Sequence, residues 1–123
     1  MNELRLGAVE SQFADIVWQN APLSTARLVE LCAQRLSWKR TTTYTVLKRL
    51  CQRGLFRTEN AVVSAILSRQ EFYSMQSEQF VEQTFDGSLP AFVAAFASRK
   101  KLTEQEVSEL RRMIDAWGEE AQR

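Results

Sequence analysis

The chain has 123 residues, 45% of them hydrophobic and 25% charged, with a net charge of +1. This suits one domain or two very small ones and argues against global disorder. Four glycines and two prolines are too few for a barrel or a many-stranded meander, and a chain with no histidine and two cysteines lacks the four ligands of a structural zinc site and the usual general base of a hydrolase.

Taken in chain order, residues 8–20 carry Val9, Phe13, Ile16 and Val17 on one helical face, and Pro22 stops that helix. Ser24 is a good N-cap for a second helix over 25–36, with Leu28, Leu31, Cys32 and Leu36 facing inward. Ser37, Trp38 and Lys39 form a short break. A third helix follows over 40–53, with Val46, Leu47 and Leu50 inward and Gly54 as its terminator. The threonines in its first turns lower helix propensity slightly, which points either to a use for their hydroxyls or to plain capping. Residues 55–67 read as a two-stranded hairpin. Leu55, Phe56, Val62, Val63, Ile66 and Leu67 flank a polar Glu59–Asn60 tip, and such a hairpin must lie against the helices to be stable.

Ser68 and Glu71 form a capping box that opens a helix over 69–86, broken by Asp86, Gly87 and Ser88. Residues 89–98 form a short apolar helix with Pro90 in its first turn. Thr103 and Glu106 form a second capping box. It opens a last helix over 104–120, with Val107, Leu110, Ile114 and Trp117 on one stripe. No apolar run of transmembrane length occurs, and the N-terminus lacks a basic segment followed by an apolar one. The expectation is a soluble cytoplasmic protein whose Cys32 and Cys51 are reduced and buried.

Charge is unevenly placed. From Leu31 to Thr58 there is no acidic residue, yet the stretch holds Arg35, Lys39, Arg40, Lys48, Arg49, Arg53 and Arg57, seven of the sixteen basic residues. A merely solvated helix face would mix in acids for i,i+4 pairs. A basic patch on an otherwise acidic body is the electrostatic footprint of a polyanion-binding surface.

The order helix, helix, helix, hairpin, with a short break before a basic third helix, is that of a winged helix-turn-helix whose third helix enters the DNA major groove. The expected fold is therefore mainly α. A winged-helix DNA-binding domain of three helices plus a β-hairpin wing spans 1–68, and a three-helix dimerisation region spans 69–123. The expected DNA contacts are Lys39, Arg40, Thr41, Thr42, Tyr44, Thr45, Lys48 and Arg49 on and beside the third helix, and Arg57 on the wing. The C-terminal helices are rich in Phe72, Phe80, Phe85, Phe92, Phe96 and Trp117, too many large aromatics for so thin a unit to bury. They either pack back on the N-terminal domain or interlock with a second copy. The homodimer is favoured because two-fold symmetry lets one small reading head act twice. Its expected contacts are Phe80, Phe85, Phe92, Val93, Phe96, Val107, Leu110, Ile114 and Trp117. Competing functions are a protein-interaction adaptor, an RNA binder and an enzyme. RNA binding would want aromatic residues on an exposed sheet, where Phe56 stands alone. An enzyme would want a nucleophile beside a base or a phosphate-cradling glycine loop, and neither is present.

The segments LGAVESQFADIVW, LSTARLVELCAQRLSWKRTTTYTVLKRLCQRGLF and FVEQTFDGSLPAFVAAFASRKKLTEQEVSELRRMID resemble the penicillinase-repressor family, which includes β-lactamase, methicillin-resistance and copper-responsive repressors. The most specific matches are Trp38, Thr42, Thr45, Leu47, Arg49 and Leu50 in one pattern, and Gly87–Leu89 with Leu102–Leu110 in another. The resemblance implies a winged-helix repressor that dimerises through its C-terminal helices on a palindromic operator. In the drug-resistance members it further implies release by a membrane-bound sensor-protease that cuts before a phenylalanine aligned with Phe96. The bond here is Ala95–Phe96, where those members have Asn–Phe, and Tyr44 replaces a basic residue of their reading helix. The tail from Arg111 to Arg123 has no Cys or His, unlike the copper-responsive members, so no metal or other cofactor is expected.

Overall fold

A computed structural model describes residues 5–122. The expectations that begin at Met1, including the absence of a leader, and the last residue of the dimerisation region fall in part outside those residues. The elements run α1 (Ala8–Asn20), β1 (Leu23–Ser24), α2 (Thr25–Leu36), α3 (Arg40–Gln52), β2 (Phe56–Glu59), β3 (Val62–Ala65), α4 (Arg69–Phe85), α5 (Leu89–Arg99) and α6 (Glu104–Ala121). The fold is a mainly α winged helix followed by further helices, as the residue pattern predicts.

The core is a cluster contributed by every element of the winged helix. Phe13, Ala14, Ile16 and Val17 of α1 meet Leu28, Leu31 and Cys32 of α2, Val46, Leu47 and Leu50 of α3, and Leu55, Phe56 and Val63 of the hairpin. Val9 departs from the expected inner face of α1. In the helix's first turn, it is 52% exposed, and the buried side chains of α1 begin only at Phe13.

The turn between α2 and α3 is built by Ser37, which adopts a left-handed conformation (φ 57°), while the Trp38 N–H reaches back to the Cys32 carbonyl at 3.2 Å. Trp38 stacks on Phe13, with ring centroids 5.6 Å apart, and so fixes the entry of α3 over α1. Gly54 has φ +88° and closes α3. Its N–H bonds the Cys51 carbonyl (3.0 Å), and that of Leu55 bonds the Leu50 carbonyl (3.0 Å), the paired bonds of a Schellman cap.

The sheet has three strands in the order β1-β3-β2, all antiparallel. The hairpin pairs Phe56 with Ala65 and Glu59 with Val62. Its turn falls at Asn60–Ala61, both at positive φ (52° and 60°), one residue beyond the Glu59–Asn60 tip expected from the sequence. Two successive positive-φ residues give the backbone twist that matches a right-handed hairpin. β1 is a strand the sequence pattern does not reveal. It pairs Leu23 with Val63 and Ser24 with Val62, and the Thr25 N–H adds a bond to the Ala61 carbonyl at 2.9 Å.

Two compact units meet within α4, one ending at Phe80 and the other starting at Val81. The sequence expectation placed the change at 68/69. The physical reason for the later boundary is Phe72, which is fully buried in the winged-helix core and not in the C-terminal set where composition placed it. Around it, Trp18 lies 5.7 Å from Phe56, 5.8 Å from Phe72 and 6.1 Å from Tyr73, ring centre to ring centre, and donates its indole N–H to the Leu67 carbonyl at 3.0 Å. Arg69 and Asp15 add an ion pair at 3.4 Å that lacks hydrogen-bond alignment.

The second unit contains the end of α4, α5 and α6. Phe85 and Phe92 pack edge to face at 5.7 Å, and Phe92 lies 6.4 Å from Phe96. Ser88 caps α5 and Thr103 caps α6. No side chain of α5 or α6 is fully buried within the chain.

Candidate nucleic-acid interface

α3 turns four side chains into the core, Thr43, Val46, Leu47 and Leu50. The helical period then places Arg40, Thr41, Thr42, Tyr44, Thr45, Lys48 and Arg49 on the outer side, all exposed, with Lys39 exposed at its N-cap. Thr43 is the odd member of its threonine run: it is 1% exposed, and its hydroxyl donates to the Lys39 carbonyl at 3.4 Å. It also hydrogen-bonds the Cys32 thiol, whose pKa burial pushes up, so that this cysteine is a protonated core side chain. Cys51 is only half-buried, in contrast to the expectation of two buried thiols, because it sits at the rim of α3 with its sulfur 3.6 Å from the Thr58 hydroxyl.

The outer face is not a set of independent side chains. The Arg40 guanidinium lies 5.6 Å from the centre of the Tyr44 ring. The Tyr44 phenol is held below its ordinary pKa, first by a hydrogen bond with the Thr25 side chain and then by Arg40. The Thr45 hydroxyl donates to the Thr41 carbonyl at 2.9 Å. Arg49 lies 3.4 Å from the Glu10 carboxylate and Arg53 lies 3.9 Å from it, while Arg53 also donates to the Arg5 carbonyl at 2.7 Å. No side chain caps the N-terminus of α3. Its first-turn N–H groups therefore point outward along the positive end of the helix dipole.

On the wing, Arg57 and Glu59 project from the same side of β2, 3.9 Å apart and both largely exposed. Phe56, the aromatic considered for RNA stacking, is buried. The sequence missed Glu10 and Thr25, which reach the outer face of α3 only through the fold. No spacing signal links Glu10 to Arg49, 39 positions further along the chain. Among the described residues, no group of three or more His, Cys, Asp or Glu side chains could hold a metal ion. No helix among them is long and apolar enough to cross a membrane.

In the second unit, the expected dimerisation residues leave much apolar surface uncovered. Val93, Phe96, Ile114 and Trp117 are 43%, 48%, 59% and 50% exposed, and Phe80, on the winged-helix side of the boundary, is 44% exposed. Leu110 is exposed, whereas Phe85, Phe92 and Val107 are half-buried. A groove of about 330 Å³ runs between α5 and α6, lined by Phe92, Val93, Phe96, Leu102, Leu110 and Met113 among others. Ala95 and Phe96 lie in the body of α5, both exposed.

The chain is similar to known proteins over most of its length. The penicillinase repressor of Bacillus licheniformis is 18% identical over 115 residues, covering 90% of each chain. The methicillin resistance regulatory protein MecI of Staphylococcus aureus is 19% identical over 114 residues, covering 89% of this chain and 93% of its own. Among solved structures, the multiple antibiotic-resistance repressor (MarR) of Listeria monocytogenes superposes with a TM-score of 0.47 at 15% identity, covering 97% of this chain and 77% of that one. Residues 6–116 match the penicillinase repressor family, and the chain belongs to it.

Proposed function

We propose that this protein is a non-enzymatic transcriptional repressor that binds a palindromic DNA operator as a homodimer, with α3 read into the major groove and Arg57 of the wing against the backbone. The observation that carries the proposal is the acid-free stretch from Leu31 to Thr58, folded so that its cations and threonines form the outer side of α3. Lys48, Arg49 and Arg57 suit phosphate, Arg40 suits phosphate or a guanine edge, and the threonines suit base edges and thymine methyls. The bare N-terminus of α3 suits a further phosphate. The names of the relatives, a penicillinase repressor and a methicillin resistance regulator, agree with this role.

The exposed apolar stripes of α5 and α6 support dimerisation. Surface of that kind on a soluble chain calls for a cover, and a second copy supplies one of matching character. Release is then a matter of breaking the dimer. A cut between Ala95 and Phe96 divides α5 and detaches α6, and the agent that fits is a membrane-bound sensor-protease acting on the cytoplasmic repressor.

The test is selection of bound duplexes from a random pool, followed by titration of the selected duplex over a range of salt. A two-fold symmetric consensus is expected, with log affinity falling steeply against log salt. An unselective pool, together with an affinity that barely responds to salt, would show an adaptor that binds proteins instead.

A further inference from the structure

Glu10 stands in the first turn of α1, yet its carboxylate serves α3. One oxygen lies 3.4 Å from Arg49 Nη1 and 3.9 Å from Arg53 Nη1, and the other accepts the Gly7 N–H at 3.3 Å. The side chains of Glu10 and Arg53 are each 22% exposed, whereas that of Arg49 is 54% exposed. The carboxylate is thus pinned at its own helix start and partly withdrawn from water, while the guanidinium it holds stays open to an incoming anion. Among the described residues, the other two cations on the outer side of α3, Arg40 and Lys48, have no carboxylate partner. The wing pair of Arg57 and Glu59 is of a looser kind, 62% and 71% exposed, and solvent screens it.

We propose that Glu10 is an internal counter-charge for Arg49, which occupies this arginine in the unbound protein and competes with DNA phosphate for it. The proposal rests on α3 being the DNA-facing helix and adds a residue that lowers affinity for DNA of arbitrary sequence. A phosphate approaching Arg49 meets a guanidinium already paired, next to a fixed negative charge. Such contacts supply most of non-specific binding, so the carboxylate weakens the background against which an operator must compete. The cap on Gly7 survives a Glu10→Gln exchange, because it requires only an acceptor oxygen and a glutamine supplies one.

The experiment uses the full chain and a duplex of about 20 base pairs with scrambled sequence, long enough for a small DNA-binding module. Affinity is measured against salt for wild type, Glu10→Gln, Arg49→Ala, the double variant and Lys48→Ala, with thermal unfolding of each to confirm the folded head. Glu10→Gln is expected to bind roughly three- to tenfold more tightly at low salt and to steepen the log–log salt slope by about 0.9, the increment of one added phosphate contact. In the Arg49→Ala background the same substitution is expected to gain less than about twofold, since the carboxylate then has no phosphate-facing arginine to occupy and its field at phosphates a Debye length away is largely screened. A Glu10→Gln protein that binds no more tightly than wild type would overturn the proposal, because the carboxylate would then be orienting Arg49 or doing nothing. An equal gain with and without Arg49 would overturn it too, by reducing Glu10 to a diffuse field. A Lys48→Ala protein with unchanged affinity and slope would sink the DNA-facing assignment of α3 itself, and is separable from the other outcomes because Lys48 has no part in the Glu10 pair.

Discussion

Two threonines of α3 show how little of a side chain's role is carried by its type. Thr43 is sealed in the core against Cys32, while Thr45, two positions on, is exposed with its hydroxyl proton given to the Thr41 carbonyl. Thr41 and Thr42 make no such back-bond among the described residues and retain hydroxyls that can meet DNA. On a selected operator, Thr41→Ala and Thr42→Ala are therefore expected to cost roughly 1–3 kcal/mol each, and Thr45→Val less, because its methyl and not its hydroxyl is on offer. Lys48→Ala is expected to weaken binding on every sequence and to lower the salt slope by about 0.9. Competition binding on selected and scrambled duplexes checks both, and equal losses on the two duplexes for Thr41→Ala would remove it from base readout. At this scale the sequence was legible where one helical period decides the matter: the pattern that turns Val46, Leu47 and Leu50 inward also turns Arg40, Tyr44, Lys48 and Arg49 outward. What it could not show is which outward residues are already engaged. Glu10 and Thr25 meet α3 only after α1 and α2 have packed, and no local pattern encodes that.

At the scale of elements, helix starts were the clearest features. Ser24, Ser68 and Thr103 each accept a backbone N–H three residues on, and the N3 glutamates Glu71 and Glu106 return the bond. The carboxyl of Glu106 is held below its ordinary value of 4.5, first by the Thr103 backbone N–H and then by the Thr103 hydroxyl. A lowered folded value means that this support for α6 is complete above pH 4.5 and is lost as the pH falls through the lowered value. Thr103→Ala is expected to cost about 1 kcal/mol of stability, and Glu106→Gln to flatten the acid limb of a plot of stability against pH. Urea unfolding followed by far-ultraviolet circular dichroism between pH 3 and 7 measures both; an unchanged acid limb in Glu106→Gln would assign the pH response elsewhere. The strand β1 was illegible for the opposite reason. Two residues have no periodicity, and they become a strand only because β3, far along the chain, presents Val62 and Val63 to them. Phe72 was likewise misplaced, since an aromatic near a helix start looks the same whether it packs forward or back.

For the whole molecule the decisive quantity is the apolar surface left on α5 and α6. Because Phe96 is 48% exposed within its own chain, an aspartate there can keep its hydration in the single copy. Phe96→Asp is therefore expected to yield a folded monomer, since in a dimer the same carboxylate would be buried without a partner. Operator affinity should fall steeply with the loss of the second half-site, and a chain cut after Ala95 should behave alike. Sedimentation at micromolar concentration with an operator titration checks this. A Phe96→Asp protein that stays dimeric and binds normally would place the dimer contact elsewhere and remove the basis for release by cleavage. The surplus of aromatics that signals this surface is visible in composition, but their division between the two units is not.

The segment Leu23–Thr25 carries one further implication, for chain length. Leu23 is a core residue paired with Val63, Ser24 pairs with Val62 while capping α2, and Thr25 bonds the wing turn at Ala61 as it begins that helix. Strand register and helix phase are thus set by the same three residues, with no slack between them. One added residue here either flips Leu23 to the wrong face of the sheet or rotates α2 by about 100° about its axis. Either error passes through the Ser37 turn to α3. Insertions and deletions in this head are therefore forbidden where the strand hands over to the helix, a join that local composition would mark as an ordinary loop.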